Sequence, residues 1–205
     1  MRLPLKALAA ALLIAFSAPA FPDKVTDAIA SGRKYYEDQR LSKAIRELRY
    51  AVSQISRRLS KAYEATMPPA PGGWKTRKAR RRGGGASVLF GAGTIITRNY
   101  RQEDGKGRIT VQLIVDNPMM QAFAMMFANP QIAAASGFER IRVRGVRDDA
   151  LLKFNDETKR GEAILLLGGR IFIKIAGRRI EGDEILRDLL QSWNYEELMR
   201  VAEIR

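Results

Sequence analysis

The side chains that most often do acid–base, thiol or metal chemistry are missing here: the chain has no histidine and no cysteine. That removes the commonest general base, the thiol nucleophile and zinc sites of usual composition. What remains are carboxylate pairs and Ser–Lys neighbours. Asp148/Asp149, Asp156/Glu157 and Glu196/Glu197 offer the residue type of a carboxylate-dependent hydrolase. They fall beside turns or at helix starts, where carboxylates cap the chain or complement the helix dipole. Ser42/Lys43 and Ser60/Lys61 are adjacent on a helix and face different directions. Four of the seven methionines fall within 109–130, and thioethers select copper(I), but no Cys or His completes a site. No catalytic, cofactor-binding or metal residue is assigned, and the expected function is not enzymatic. A hydrolase would need two acids converging in a cleft.

The elements that would position any site divide the chain into four. Residues 1–20 read as a secretory signal: Arg2 and Lys6, an apolar run over 7–16, then Ala18-Pro19-Ala20 as an A-x-A cleavage site. The expected location is therefore periplasmic or secreted, after cleavage near Ala20. No later segment has the apolar length of a membrane-spanning helix, and without cysteines stability must come from burial alone.

Residues 21–66 have helical periodicity and are expected to form a helical hairpin. Gly32, Tyr35, Leu41, Ala44, Leu48 and Ala51 fall at the offsets of a tetratricopeptide repeat, which this segment resembles over 25–58. It departs from that pattern at Ala28, Ser31 and Ser56. The resemblance implies that Gly32 and Ala44 let paired helices touch, and that the unit contacts protein. One repeat cannot bury both of its faces, so it must pack on the rest of the chain or on a partner.

Residues 67–87 read as a Pro/Gly-rich basic linker. Lys75, Arg77, Lys78, Arg80, Arg81 and Arg82 put six charges into eight residues. The chain carries +14; without Arg2 and Lys6 it carries +12, of which this segment supplies +6, residues 21–66 +4, and 83–205 only +2. The basicity is local. It suits an anionic surface, lipid headgroup or polyanion, with export arguing against nucleic acid, and Trp74 beside it suits a headgroup boundary.

Residues 88–205 read as an α+β domain. The expected strands are 94–101, 108–116, 140–144, 146–154, 162–167 and 170–176, an antiparallel sheet of about six strands with helices on one face. Glycine-containing turns over 103–107 and at Gly168-Gly169 make hairpins. Terminal helices over 183–193 and 195–204 bury Ile185 and Leu189, with Leu186 and Leu190 beside them. If their strands are neighbours, Arg140, Arg142 and Arg144 together with Arg170 and Lys174 form a basic stripe.

Between strand and strand, 117–130 reads as an apolar helix. Met119, Met120, Phe123, Met126 and Phe127 make its main face, which packs as core or holds a hydrophobic partner or ligand. The element order of the last 120 residues is similar to the small α+β domains of the PsbP type, a likeness of fold that carries no functional residue. The expected role is an exported envelope binding or scaffolding module; a carrier or sensor of a hydrophobic ligand, held between sheet and Met-rich helix, is the alternative.

Overall fold

The computed structural model describes residues 23–82, 93–118, 120, 124 and 127–204, with 78, 79, 81 and 82 as backbone only. The signal-like segment lies outside them.

The fold starts with two helices. Helix α1 (Lys24–Glu37) begins where the Asp23 carboxylate accepts the Val25 N–H at 3.3 Å, and its first turn holds Asp27. Gln39, at φ 58°, turns the chain into α2 (Leu41–Thr66), 26 residues long. The helices touch through Val25, Ala28 and Gly32 on α1 and Ala44 and Ala51 on α2, all buried. A Cβ at Gly32 would lie 2.8 Å from Leu48 Cγ, so the close approach needs glycine there.

The C-terminal end of α2 enters the main core, where Tyr63 and Met67 are buried. Arg98 donates from Nη2 to the Glu64 carbonyl at 3.0 Å, and from Nη1 to those of Met67 and Pro68 at 3.1 and 3.0 Å. A helix end leaves four carbonyls without partners, and one guanidinium takes up the slack. The Tyr100 hydroxyl donates to the Pro68 carbonyl at 2.7 Å.

Seven antiparallel strands follow: β1 (Trp74–Arg82), β2 (Thr94–Gln102), β3 (Arg108–Val115), β4 (Glu139–Ile141), β5 (Ala150–Asn155), β6 (Arg160–Leu167) and β7 (Ile171–Arg178). Their order in the sheet is β1-β2-β3-β7-β6-β5-β4. Two three- and four-stranded meanders thus join at the β3–β7 pair. The α+β class and antiparallel sheet match the expectation, with seven strands in place of about six.

The additional strand is the segment expected to be a linker. Trp74–Arg82 pairs along β2, from Trp74 opposite Gln102 to Arg82 opposite Ile95, with a bulge between Arg77 and Arg80. An edge strand needs little apolar alternation; Trp74 packs against the core, and charged residues keep the open edge from recruiting another strand. The expected 140–144 strand shrinks to Glu139–Ile141, because Gly145 at φ 81° and the Arg142–Asp149 ion pair turn the chain there. The β6–β7 hairpin uses three loop residues, since Leu167 pairs with Ile171 and Arg170 N–H closes a turn onto the Leu167 carbonyl.

Both faces of the sheet bury apolar residues. Ile109, Val111, Leu113 and Val115 of β3 and Ile171, Ile173 and Ile175 of β7 face the main core with α2, α4 (Glu184–Gln191) and α5 (Tyr195–Val201). Leu186, Leu189 and Leu190 are fully buried, and Ile185 half-buried. Gly177 leaves room for Ile180 and for Leu186 of α4, which a Cβ there would meet at 2.5 and 3.3 Å. Whereas α2, α4 and α5 share one face as expected, the short α3 (Pro130–Ala135) lies over one end of the other. There Ile114, Leu151, Ile164, Leu166 and Phe172 need cover, which Ala133, Phe138 and Met120 supply.

Candidate functional site

The carboxylate pairs are absorbed locally. Asp149 pairs with Arg142 at 2.9 Å and Asp148 accepts the Gly168 N–H at 3.4 Å, while Asp156 holds Lys159 at 2.5 Å beyond the opposite end of β5. Arg200 clasps Glu197 at 2.5 and 2.7 Å, and that hydrogen bonding holds the Glu197 carboxyl below its ordinary range. Among the described residues no three acidic side chains are grouped to hold a metal ion. Ser60 is buried while Lys61 is exposed, and Lys43 lies over the Tyr35 ring at 5.6 Å.

The helical pair presents a different kind of surface. Leu41, Ile45, Leu48, Ile55 and Leu59 are exposed by 39–50%, and Val52 is half-buried. Their spacing, four then three then four, is the 3.5-residue repeat of a coiled-coil seam, sustained for about 27 Å at 1.5 Å per residue. Helix α1 covers the adjacent Ala44–Ala51 line and reaches one seam residue, Leu48, which lies against Gly32. Tyr35, stacked under Arg40 and Lys43, marks the far edge of that contact. Ile29 and Tyr36 lie about 100° or more round α1 from Tyr35, which puts them on the side of the seam; both are exposed, Tyr36 by 63%. Ser56, Ser60 and Tyr63, further along α2, are buried instead. One half of α2 therefore belongs to the core, and the other half is an open apolar face.

Along α2 the charge is mostly of one sign, with Arg49 beside the seam and Arg46, Arg57 and Lys61 on the opposite side of the helix. From 40 to 61 there are seven cations and a single carboxylate, Glu47. Arg58 is bound to Asp23 at 2.5 and 2.6 Å, which lowers the Asp23 carboxyl pKa. Among the described residues Arg46, Arg49, Arg57 and Lys61 have no ion-pair partner.

The six basic residues assigned to an anionic surface all lie on β1. Lys75, Arg77 and Arg80 are exposed, Lys75 pairing with Glu103 at 3.3 Å; the side chains of Lys78, Arg81 and Arg82 lie outside the described residues. The second basic stripe does not form as expected. Arg140 is on β4, separated from β7 by β5 and β6, and donates to the Phe127 carbonyl at 2.6 Å; Arg170 is bound to Asp116 at 2.8 and 3.0 Å.

A different alignment takes its place, one visible only through register. Lys75 is opposite Arg101, Arg101 opposite Arg108, Arg108 opposite Arg178, and Arg178 opposite Arg160. Apart from Arg101 and Arg108, which face each other across one hairpin, these residues are far apart in sequence, so charge clustering along the chain could not have revealed the row. Beside this row a cavity of about 560 Å³ opens on the same face, lined by Lys153, Arg160, Glu162, Lys174 and Arg178. Glu162 is shared by Lys174 at 2.7 Å and Lys153 at 3.6 Å, and the Lys153 ammonium also rests on the Phe138 ring at 4.1 Å.

Of the apolar candidates, Met120 is buried and Phe127 partly so, both against the Phe138 and Phe172 cluster. Met119, Phe123 and Met126 lie outside the described residues.

No family model matches this chain, and no curated protein or solved structure is similar to it. The functional reading therefore rests on these surfaces. No helix among the described residues is long and apolar enough to cross a membrane.

Proposed function

We propose that the protein is an exported, non-enzymatic binding module of the bacterial envelope, which docks a protein partner on its helical hairpin and an anionic surface through its basic strand. The observation that carries this reading is the open seam of Leu41, Ile45, Leu48, Val52, Ile55 and Leu59. An apolar face of this length is left to solvent only at a cost, and burying each such side chain is worth about 1.5–3 kcal/mol. A 3.5-residue repeat is matched by another helix.

The excess of seven cations over one carboxylate along α2 from 40 to 61, with Arg49 beside the seam, points to the partner's chemistry: an amphipathic helix with acidic flanks. A second copy of this chain would bring two basic helices together, and like charges across a helical interface are repulsive. The test is calorimetric titration of the purified protein with two synthetic heptad peptides, alike at their apolar positions and flanked by Glu in one and Lys in the other. The reading expects a monomeric protein that binds the Glu peptide and ignores the Lys peptide, with binding lost in Ile45→Glu/Ile55→Glu. Concentration-dependent dimers, or equal binding of both peptides, would overturn it.

A further inference from the structure

We propose that the open end of the sheet face opposite α2, α4 and α5, the end away from α3, is where this protein lies against an anionic lipid bilayer, through the row Lys75, Arg101, Arg108, Arg178 and Arg160. The inference rests on the reading that the protein meets an anionic surface, and it moves the contact from one edge strand to a face five strands wide.

The register makes the row. Successive partners carry it across β1, β2, β3, β7 and β6. With strands about 4.8 Å apart it runs for about 19 Å. All five side chains are exposed. Glu103 pairs with Lys75, and among the described residues no carboxylate pairs with Arg101, Arg108, Arg160 or Arg178.

The next row on the same face holds Arg77, Asn99, Thr110, Ala176, Glu162 and Lys153, and the third begins Arg80, Thr97, Gln112, Lys174. Glu162, the acidic residue of these rows, is already shared between two lysines. Apart from Glu103 on Lys75, no carboxylate among the described residues neutralises the row.

Such a row works against the fold. Like charges directly opposite on antiparallel strands repel, and here four such pairs follow one another, three of them Arg–Arg. Features that oppose local stability without a compensating contact mark functional surfaces. The occupant that fits is broad and flat with distributed negative charge. A lipid surface has that form, and attracts each basic residue held near it. Helix α2, α4 and α5 pack on the other face of the sheet, so a bilayer here leaves the apolar seam of α2 to its own partner.

The experiment measures sedimentation of the purified protein with vesicles of phosphatidylcholine alone and with one-third phosphatidylglycerol, at low and high salt. Binding is expected only to the anionic vesicles and is expected to fall as salt rises. Arg101→Gln/Arg108→Gln/Arg178→Gln should weaken it roughly a hundredfold and raise the melting temperature. Arg101→Lys/Arg108→Lys/Arg178→Lys, which keeps the charges, should keep binding. Retained binding in the Gln variant, with loss in Arg80→Ser/Arg81→Ser/Arg82→Ser, would overturn the row while leaving an anionic-surface role on β1. Failure of the unaltered protein to bind anionic vesicles would overturn both. Equal, equally salt-dependent binding of duplex DNA through the same three arginines would overturn the assignment to lipid.

Discussion

The indole N–H of Trp193 donates to the Thr66 hydroxyl at 3.3 Å, across 127 residues of sequence. Thr66 passes its own hydroxyl proton to the Tyr63 carbonyl at 2.7 Å, and its carbonyl accepts the Asn194 N–H at 3.3 Å. Tyr63, Thr66 and Trp193 are buried, so the last turn of α2 and the α4–α5 corner are one hydrogen-bonded unit. Thr66→Val leaves the indole N–H without a partner in the core. Chemical denaturation should show a loss of about 1–3 kcal/mol, with the two helices still formed.

Arg98 does the same at the helix end, serving three carbonyls at once. Arg98→Met keeps the apolar stem and removes every donor. The expected loss is about 2–4 kcal/mol, and hydrogen exchange should quicken first over 60–70, where the released carbonyls lie. Uniform quickening across the sheet would show that the guanidinium is not specific to this junction.

Alkaline pH should unfold the protein through its buried phenols. Burial raises the pKa of Tyr195, and it also raises those of Tyr63 and Tyr100. The Tyr195 hydroxyl donates to the Leu190 carbonyl at 2.7 Å. A phenol whose folded pKa lies above its unfolded value of 10.0 favours the fold fully below pH 10. That contribution is lost as pH rises from there towards the folded value, because the unfolded chain releases its proton first. Stability measured against pH should therefore decline above about 10, and Tyr195→Phe should make the decline shallower.

The seam of α2 should be separable from stability. Ile45 and Ile55 are exposed by 50% and 46%, so Ile45→Glu/Ile55→Glu should change unfolding free energy by no more than about 0.5 kcal/mol per site. By contrast, Ala51→Glu on the buried α1–α2 line should separate the helices. Comparing the two variants by helical circular dichroism and thermal melting distinguishes a docking face from a misjudged core.

Much of the architecture was legible in the residues themselves. Period-2 alternation located β3, which has one face in the core and the other turned outward, while β6 and β7 stood out as short apolar runs around a glycine turn because both of their faces are covered over much of their length. Helical periodicity located the hairpin and the terminal helices for the corresponding reason. The absence of His and Cys settled which catalytic devices the chain lacks without any structure.

Other features were decided only by the fold. The 67–87 segment read as a linker because its charges hide any alternation, yet β2 offered an open edge and Trp74–Arg82 filled it. Charge clustering along the chain pointed to that segment alone. The row from Lys75 to Arg160 joins residues up to 103 positions apart, since neighbours across a sheet are chosen by strand order and register, which no local pattern encodes. Likewise α2 is one continuous amphipathic helix in sequence. Only the packing of its last turns in the main core, and of its Ala44–Ala51 line against α1, leaves the line from Leu41 to Leu59 largely open.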